Sequence, residues 1–209
     1  MTLELNRIYN MDCLEGMREI PDKSIDLVIT DPPYGIGIAN NPIRQMHDKM
    51  DWDTFVPIKQ CFDELFRISK NQIVWGGNFF DLPPSQGFLI WDKEQPEDFT
   101  TSMCEYAWSS IQSPAKMFRY RVVDGIPKVH PTQKPVKLFE WIIKNYAKEG
   151  DVICDPFFGS GSCLVACIRM GHQFIGFEKE KTYFDAAQIR IKKAQEQGKI
   201  GTWFDGVTA

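Results

Sequence analysis

The chain has 209 residues, of which 43% are hydrophobic and 25% are charged, and its formal net charge at pH 7 is -4. This composition is typical of one globular domain with a substantial core, and it argues against a protein whose whole surface binds nucleic acid. The longest apolar runs are too short to cross a bilayer, and the N-terminus lacks the charged-then-apolar layout of a signal peptide. We therefore expect a single cytosolic domain.

Apolar runs rich in β-branched residues alternate with segments of helical periodicity. In chain order, strands are predicted at 25–30, 72–75, 87–91, 152–154 and 173–177, and helices at 55–69, 135–147, 162–170 and 181–194. This alternation predicts an α/β fold with a largely parallel sheet, helices on both faces and binding sites at the carboxyl ends of the strands. Residues 35–52 and 110–131 least resemble regular elements, so we expect substrate loops there.

The six cysteines, at positions 13, 61, 104, 154, 163 and 167, form no C-x-x-C pair and no ligand pattern with the three histidines. A chain of this size does not need a disulfide framework. We expect free, mostly buried thiols and no metal site.

The strand predicted at 25–30 runs directly into Asp31-Pro32-Pro33-Tyr34. Two consecutive prolines end a strand, and an Asp before them is also common at the start of an ordinary turn. The segment by itself therefore leaves a plain turn and a functional site equally open.

A second pattern, over residues 151–178, is typical of a strand, a glycine turn, a helix, another strand and an acid. The turn is Gly159-Ser160-Gly161, and Glu178 follows the second strand. Glycines allow close approach of the backbone to a ligand, and an acid about 20 residues further on can accept hydrogen bonds from ribose hydroxyls. Asp155 disfavours a pyrophosphate and suits a cationic group. The pattern therefore favours a nucleoside with an ammonium or sulfonium group, as in S-adenosylmethionine.

Residues 116–137 contain six basic residues and a single acid, Asp124, with Phe118 and Tyr120 among the cations. Taken alone, this segment fits a solvated loop about as well as a contact with a polyanion. Its meaning depends on its neighbours in the chain.

Asp31-Pro32-Pro33-Tyr34, followed by HPTQKP at 130–135 and DPFFGSGS at 155–162, resembles the amino-methylating DNA methyltransferases. It is similar more narrowly to their permuted β group, in which the DPPY motif precedes the glycine turn. The resemblance covers nearly the whole chain. It implies one catalytic domain, 1–209, with the Rossmann-like S-adenosylmethionine-dependent methyltransferase fold: α/β, with a seven-stranded, mostly parallel sheet and helices on both faces.

The resemblance also implies a role for each matching position. The catalytic residues would be Asp31, Pro32, Pro33 and Tyr34. Cofactor-binding residues would be Asp12, Cys13, His130, Thr132, Lys134, Asp155, Phe157, Gly159, Ser160, Gly161 and Glu178. In this set Glu178 would bind the ribose, Asp12 would contact the adenine ring and Lys134 would lie near the cofactor carboxylate. From the residues alone, Asp12 is nearly as well explained as the cap of a following helix.

An Asp carboxylate and a proline-fixed carbonyl are suited to accept hydrogen bonds from an amino group, and Tyr34 offers a stacking face for a flipped base. In the family, Asp at the first position of this motif usually accompanies adenine N6 methylation, so we expect this activity on DNA. The alternatives are cytosine N4 methylation, the same chemistry on RNA or a protein amide, and a non-enzymatic DNA-binding subunit.

The basic segment immediately precedes HPTQKP, which places it near the expected site. DNA contacts are expected at Lys116, Arg119, Tyr120, Arg121 and Lys128. The chain has little room for a separate recognition domain, so residues 35–52 and 110–131 are candidate recognition loops, and recognition shared across a homodimer is a further expectation. The resemblance implies a cytoplasmic enzyme of a bacterial or phage-infected cell, in DNA methylation or restriction-modification.

Overall fold

The computed structural model describes residues 3–35, 57–96, 102–121, 129–130 and 132–205, with the backbone alone for 198–205. The helices and strands, in chain order, are β1 (Arg7–Tyr9), α1 (Cys13–Arg18), β2 (Ile25–Thr30), α2 (Lys59–Ile68), β3 (Ser69–Trp75), a 3₁₀ turn (Gly77–Phe79), β4 (Phe88–Asp92), β5 (Cys104–Ser109), β6 (Lys116–Arg119), α3 (Val136–Tyr146), β7 (Val152–Asp155), α4 (Ser162–Arg169), β8 (Gln173–Phe177) and α5 (Lys181–Asp205).

All described strands form a single sheet in the order β1-β8-β7-β2-β3-β5-β4-β6. The pairings are parallel except for the two that β5 makes with β3 and β4. Because β6 pairs in parallel with β4, it runs in the same direction as β4 along the edge of the sheet. Because β5 is antiparallel to both β3 and β4, these strands in turn run in the same direction as β2, β7 and β8. The carboxyl ends of all these strands therefore meet at one edge of the sheet, where α/β proteins bind their ligands.

The helices cover both faces of the sheet, as the apolar runs predicted. Leu27 and Ile29 of β2 point into a core that includes side chains of α3, α4 and α5. Val28 points the other way, into a core shared with α1 and α2. A strand that is buried on both faces reads as a continuous apolar run rather than an alternating one, which is why β2 was readily predicted. Within the described part of the chain, no helix is both long and apolar enough to span a membrane.

The predicted α/β fold is confirmed, and every predicted strand and helix is present. β2 and β8 have the predicted bounds, the other elements differ by a few residues, and α5 extends to Asp205 rather than 194. The sheet has eight strands, one more than the seven that the resemblance implied. Periodicity did not predict β1, β5 or β6, because β1 has three residues and the side chains of β6 are largely exposed. Residues 116–119 were expected in a substrate loop, and this was wrong, since they form the edge strand β6. Residues 36–52 of the other expected loop lie outside the described residues.

Candidate active site

Three adjacent strands bring an acid to the same edge of the sheet. Asp31 follows β2, Asp155 ends β7 and Glu178 follows β8. The Thr30 hydroxyl donates a hydrogen bond of 2.9 Å to Asp155 Oδ1, which links the ends of β2 and β7. The two motifs that lie far apart in the sequence are therefore neighbours in space, because the carboxyl ends of parallel strands share one edge.

The DPPY segment folds back so that its acid and its aromatic residue are in contact. The Tyr34 hydroxyl donates a hydrogen bond of 2.6 Å to Asp31 Oδ1. Asp31 Oδ2 accepts a hydrogen bond from the Lys134 ammonium, so both carboxylate oxygens are held. Pro32 is buried and Pro33 is half-buried, and their fixed φ angles stiffen the turn between the two groups. The orientation of Asp31 is thus determined from both sides.

The ring of Tyr34 lies in an aromatic group at the end of β3. It stacks on Phe79, with ring centroids 4.9 Å apart and planes inclined by 16°, and it meets the edge of Phe80 at 6.1 Å. Phe79 is 45% exposed and leaves an aromatic surface beside Asp31. Phe79 was not among the predicted site residues, although it follows an apolar strand in the segment Gly76-Gly77-Asn78-Phe79.

Lys134 is buried, with only 4% of its side chain exposed, between two carboxylates. Besides Asp31, it contacts Glu105 Oε2 at 3.0 Å, and Lys93 contacts Glu105 Oε1 at 2.8 Å. The ring of Trp75 lies 5.4 Å from the Lys134 ammonium. Lys134 had been expected near a cofactor carboxylate, whereas the structure shows it on protein carboxylates. Glu105 was not predicted because β5 itself was not, and Lys93, which follows the predicted strand β4, has no meaning for the site until Glu105 is placed beside it.

The charges of this cluster follow from burial and from its ion pairs. Burial lowers the pKa of Lys134, but Asp31 and Glu105 outweigh it, and the pKa is raised well above 10.5. Burial opposes ionisation of Glu105, yet Lys134 and Lys93 lower its pKa to about 2. Burial and the nearby Asp31 raise the pKa of Tyr34, so its hydroxyl stays protonated and donates a hydrogen bond to Asp31. The pKa of Asp31 is raised by burial, an effect that Lys134 opposes.

Asp155 and Glu178 are carboxyl groups held by neutral donors. Asp155 Oδ1 accepts hydrogen bonds from the Thr30 hydroxyl and from the Phe157 N–H at 3.2 Å. Glu178 accepts the Gly159 N–H on Oε2 at 3.0 Å and the Glu180 N–H on Oε1 at 2.7 Å. Burial raises the pKa of both acids to about 7. These groups are suited to a ligand that brings positive charge or hydroxyl donors.

Gly159 and Gly161, the two glycines of the turn, have different surroundings. Both have φ in the left-handed region, +48° at Gly159 and +73° at Gly161. A Cβ at Gly159 would lie 3.5 Å from the ring of His130, so the HPTQKP segment faces the turn there. A Cβ at Gly161 would lie 3.1 Å from Ala187 of α5. Gly159 therefore lines the space beside HPTQKP, whereas Gly161 allows α4 to begin against α5.

The remaining residues expected at the cofactor surround this edge. The His130 ring contacts Tyr183 with centroids 4.2 Å apart, and its Nδ1 lies 3.1 Å from the Thr132 hydroxyl oxygen. Ser160 is buried, and its carbonyl oxygen accepts a hydrogen bond from the Arg190 guanidinium on α5. The structure thus brings His130 and Thr132 to the glycine turn, whereas the Ser160 carbonyl faces α5 and its hydroxyl lies 3.1 Å from that of Ser162.

Asp12 and Cys13 lie at the start of α1. Asp12 Oδ1 accepts the Leu14 N–H at 2.9 Å, which confirms that Asp12 caps this helix. Its other oxygen lies 3.3 Å from the Lys179 ammonium, next to Glu178 in sequence. Cys13 is buried, and its hydrogen bond with the Cys61 thiol and burial raise its pKa. Contact of Asp12 or Cys13 with a cofactor stays a prediction.

The expected DNA-binding residues lie on the edge strand β6 and just after it. Lys116 donates a hydrogen bond of 2.9 Å to Asn145, and Arg119 lies 3.4 Å from Asp92. Arg119 and Arg121 are exposed at the carboxyl end of β6, with Tyr120 half-buried between them. They therefore lie at the same edge of the sheet as Asp31. Lys128 lies outside the described residues.

The family model of N6 and N4 methyltransferases, described as DNA methylase, matches residues 74–189, which is more than half of the chain. The chain belongs to this DNA methylase family. The matched segment includes HPTQKP and the glycine turn of the methylase, while Asp31 precedes it. The resemblance to amino-methylating DNA methyltransferases is thereby confirmed at the level of the family, and assignment to the β group stays a prediction.

The methylase is similar to two curated relatives. One is the type II methyltransferase M.HinfI of Haemophilus influenzae, which is 27% identical over 90% of this chain and 69% of the relative. The other is the type II methyltransferase M.BglII of Bacillus subtilis, which is 25% identical over 88% of this chain and 68% of the relative. Both matches extend over most of the chain.

Solved structures share the fold of the methylase. The M1.HpyAVI–SAM complex has a TM-score of 0.59 at 22% identity and covers 88% of this chain and 98% of its own. A putative DNA modification methylase of Thermus thermophilus, complexed with S-adenosyl-L-methionine, has a TM-score of 0.60 at 18% identity over 90% of this chain and 93% of its own. The cytosine-N4-specific PvuII DNA methyltransferase has a TM-score of 0.63 at 15% identity over 94% and 93% of the two chains. At these identities the likeness establishes the fold.

Proposed function

We propose that this methylase transfers the methyl group of S-adenosylmethionine to the N6 amino group of adenine in DNA, after the base has been flipped out of the duplex. The observation that carries the proposal is the placement of Asp31, fixed by Tyr34 and Lys134 on the strand next to the one that ends in Asp155. An acceptor for an amino group thereby lies beside a site that suits a cationic nucleoside.

The residues of the glycine turn fit this cofactor. Asp155 is a buried carboxyl group held by neutral donors, and S-adenosylmethionine carries both a sulfonium and an ammonium group. Glu178 keeps lone pairs for ribose hydroxyls, because each of its oxygens accepts one backbone N–H and has a second acceptor site. Asp155, Phe157 and Gly159 would hold the methionine part, and Asp12 the adenine ring. When bound, the cofactor supplies an electrophilic methyl group.

Asp31 prepares the target amino group for methyl transfer. The lone pair of an aromatic amino nitrogen is delocalised into the ring, so the nitrogen must be drawn towards a pyramidal form before it is a good nucleophile. An ionised Asp31 can accept a further hydrogen bond, since each carboxylate oxygen has two acceptor sites. The Pro32 carbonyl is the second acceptor. The methylated nitrogen then loses one proton, either to Asp31 or to water.

Tyr34 and Phe79 supply the surface on which the flipped base rests. A base removed from the stack of the duplex needs stacking partners in the enzyme, and aromatic side chains are the usual ones. The stacked pair lies beside Asp31 because Tyr34 is hydrogen-bonded to it. Asp at the first position of the motif supports adenine as the base, and cytosine N4 methylation is the alternative that the experiment must separate.

The test uses purified protein, methyl-labelled S-adenosylmethionine and DNA, followed by digestion to nucleosides and mass spectrometry. We expect N6-methyladenine from the wild type and a loss of about 100-fold or more in Asp31→Ala, with the protein still folded. N4-methylcytosine in place of N6-methyladenine would reassign the base. Label in neither duplex nor single-stranded DNA would refute the proposal. Single-molecule sequencing of DNA from expressing cells reads the modified base and its sequence context together.

The DNA is proposed to lie along the carboxyl edge of the sheet, where Arg119 and Arg121 are exposed. Guanidinium groups there suit phosphate contacts, and Tyr120 lies between them for contact with a base. Lys116 extends the same strand towards its amino end. Recognition shared across a homodimer and a cytoplasmic location belong to the same proposal.

A further inference from the structure

Four residues from separate segments form a row of alternating charges that ends at the catalytic acid. Asp31 follows β2, Lys134 precedes α3, Glu105 lies on β5 and Lys93 follows β4. Asp31 contacts Lys134, Lys134 contacts Glu105 at 3.0 Å, and Glu105 contacts Lys93 at 2.8 Å. The two negative and two positive charges sum to zero, and pairing of opposite charges offsets the cost of removing each of them from water.

The Lys134 ammonium is surrounded by protein groups. An ammonium has three N–H donors. The structure gives Lys134 contacts with Asp31 Oδ2, with Glu105 Oε2 and, at 3.5 Å, with the Tyr34 hydroxyl oxygen. The ring of Trp75 lies on another side of the ammonium, 5.4 Å from it. A group held in this way is poorly placed to bind a cofactor carboxylate and well placed to fix Asp31.

Lys134 matters because of what else surrounds Asp31. Of the charged and titratable groups that face Asp31 in the described part of the chain, Glu105 and Asp155 are carboxyl groups and Tyr34 is a neutral phenol. Lys134 is the cation in contact with it, and Lys93 is one position further along the row. Without the Lys134 charge, burial and the Glu105 carboxylate would both favour protonated Asp31.

We propose that Lys134 is a positioning residue for methyl transfer, which keeps the Asp31 carboxylate ionised and oriented, and that Glu105, held by Lys93, fixes Lys134 in turn. A protonated Asp31 would donate from one oxygen and lose the acceptor that the target amino group needs. The inference rests on the proposed function for its catalytic consequence, while the coupling between Asp31 and Lys134 can be measured without any reaction.

The first test measures that coupling by a carbon-13 NMR titration of Asp31 in protein free of DNA and cofactor. We expect an ionised Asp31 at pH 7.5 in the wild type and a higher Asp31 pKa in Lys134→Gln, with Lys134→Arg close to the wild type. A protonated Asp31 in the wild type at pH 7.5 would overturn the inference, and this result needs no variant to fold. An Asp31 pKa unchanged in folded Lys134→Gln would do the same.

The second test measures the pH dependence of kcat on DNA. We expect Lys134→Gln to lower kcat about 100-fold at pH 7 and to regain part of it at higher pH, because Asp31 then ionises unaided. Lys134→Arg should recover much of the loss. Glu105→Gln should give a smaller loss, because Lys134 is then held less firmly, although removal of the Glu105 charge by itself favours ionised Asp31. The KM for S-adenosylmethionine should change less than about threefold. A raised KM for S-adenosylmethionine with unchanged kcat would mean that Lys134 binds the cofactor carboxylate, and it would overturn the inference.

Lys70→Gln is the matched control. Lys70 forms an ion pair of 2.6 Å with Asp26 at the opposite edge of the sheet, at the amino end of β2. The substitution should raise the Asp26 pKa, which this pair lowers, and leave the kcat–pH profile unchanged. Inactive wild-type protein with the expected Asp31 titration would count against the proposed DNA methylation alone, so the two failures are distinguishable.

Discussion

Gly76 lies directly against the ring of Tyr34, so closely that a Cβ at this position would be 2.2 Å from a ring carbon. Gly76 also has a φ of +66°, a conformation that costs a residue with a side chain about 1–2 kcal/mol. We expect Gly76→Ala to displace Tyr34 from Asp31 and to lower kcat at least about tenfold, while binding of S-adenosylmethionine stays within about twofold. Calorimetry and initial rates measure the two effects.

Gly171→Ala separates backbone strain from the displacement of Tyr34. Gly171 has a φ of +74°, and nothing lies within 4 Å of the position its Cβ would take. Both variants should lose stability in thermal unfolding through backbone strain, and Gly76→Ala should lose more because its Cβ also displaces Tyr34. Methyl transfer should fall in Gly76→Ala alone. Equal activity of the two would show that the position of Tyr34 does not matter for the reaction.

Phe79→Ala tests the aromatic surface beside Asp31. The substitution removes an exposed ring stacked on Tyr34, and stacking of a base on an aromatic side chain is worth about 1–3 kcal/mol. We expect weaker binding of single-stranded, adenine-containing oligonucleotides, by about five- to 150-fold, measured by fluorescence anisotropy. Phe88→Ala is the control, because Phe88 is 36% exposed and packs on Tyr106 at 5.8 Å. Equal weakening by both substitutions would contradict a specific role for Phe79.

Asp155 makes the binding of a cationic cofactor depend on pH. Burial raises its pKa from 3.8 to about 7, so the group is largely protonated below pH 6 and ionised above pH 8. A positively charged ligand prefers the ionised form, so the affinity for S-adenosylmethionine should fall up to about tenfold per pH unit below pH 7. Asp155→Asn should bind more weakly and with a smaller pH dependence, the remainder coming from Glu178, as titration calorimetry between pH 6 and pH 8.5 would show. An affinity that is independent of pH in the wild type would contradict the prediction.

The stability of the cofactor-free protein should depend on pH in the opposite direction. The pKa of Asp155 is about 7 in the folded chain and ordinarily 3.8, so between these values the folded state binds more protons than the unfolded state. The free energy of unfolding therefore contains a contribution that is present below pH 3.8 and is lost as pH rises through about 7. Glu178 adds to the same trend between 4.5 and about 7.

Asp155→Asn tests this trend because an amide oxygen can accept both hydrogen bonds now made by Oδ1. In urea unfolding experiments, we expect the free energy of unfolding of Asp155→Asn to decline less with rising pH than that of the wild type. At pH 8 the variant should be more stable than the wild type. Glu178→Gln is the contrast, because its two backbone N–H groups bind different oxygens and an amide nitrogen cannot accept one of them. That variant should lose stability at every pH. Parallel curves for Asp155→Asn and the wild type would contradict the assignment.

Most strands and helices, and the proximity of the DPPY motif to the glycine turn, were predictable from the sequence because they follow from local patterns. β2 and β7 are apolar runs, and parallel strands must end at one edge, so Asp31 and Asp155 had to approach each other. The partners of Lys134 were not predictable in this way. Glu105 lies on β5, whose sequence CEYAWS lacks a long apolar run and whose antiparallel pairing is set by contacts distant in the chain.

Gly161 and the cations of β6 also show what a local pattern leaves undetermined. The space that the missing Cβ of Gly161 leaves is used by Ala187 of α5, and contact of Gly161 with the cofactor stays a prediction. A packing glycine and a ligand-facing glycine cannot be told apart without the neighbouring helix. The basic residues of β6 were expected in a loop because their segment has no apolar run. A strand at the edge of a sheet needs none, and it can expose both Lys116 and Arg119.

The cations at the end of β6 give the last prediction. Because β6 runs parallel to β4, Arg119 and Arg121 lie at the carboxyl edge with Asp31, and each phosphate contact releases about one counterion. The double substitution Arg119→Gln and Arg121→Gln should weaken binding of duplex DNA at about 100 mM salt and reduce the slope of log K against log salt by about two. Lys148→Gln, an exposed cation preceding β7 at the opposite edge, should leave both unchanged. Loss of affinity with an unaltered salt slope would mean that these arginines act through Asp92 and the fold rather than through phosphates.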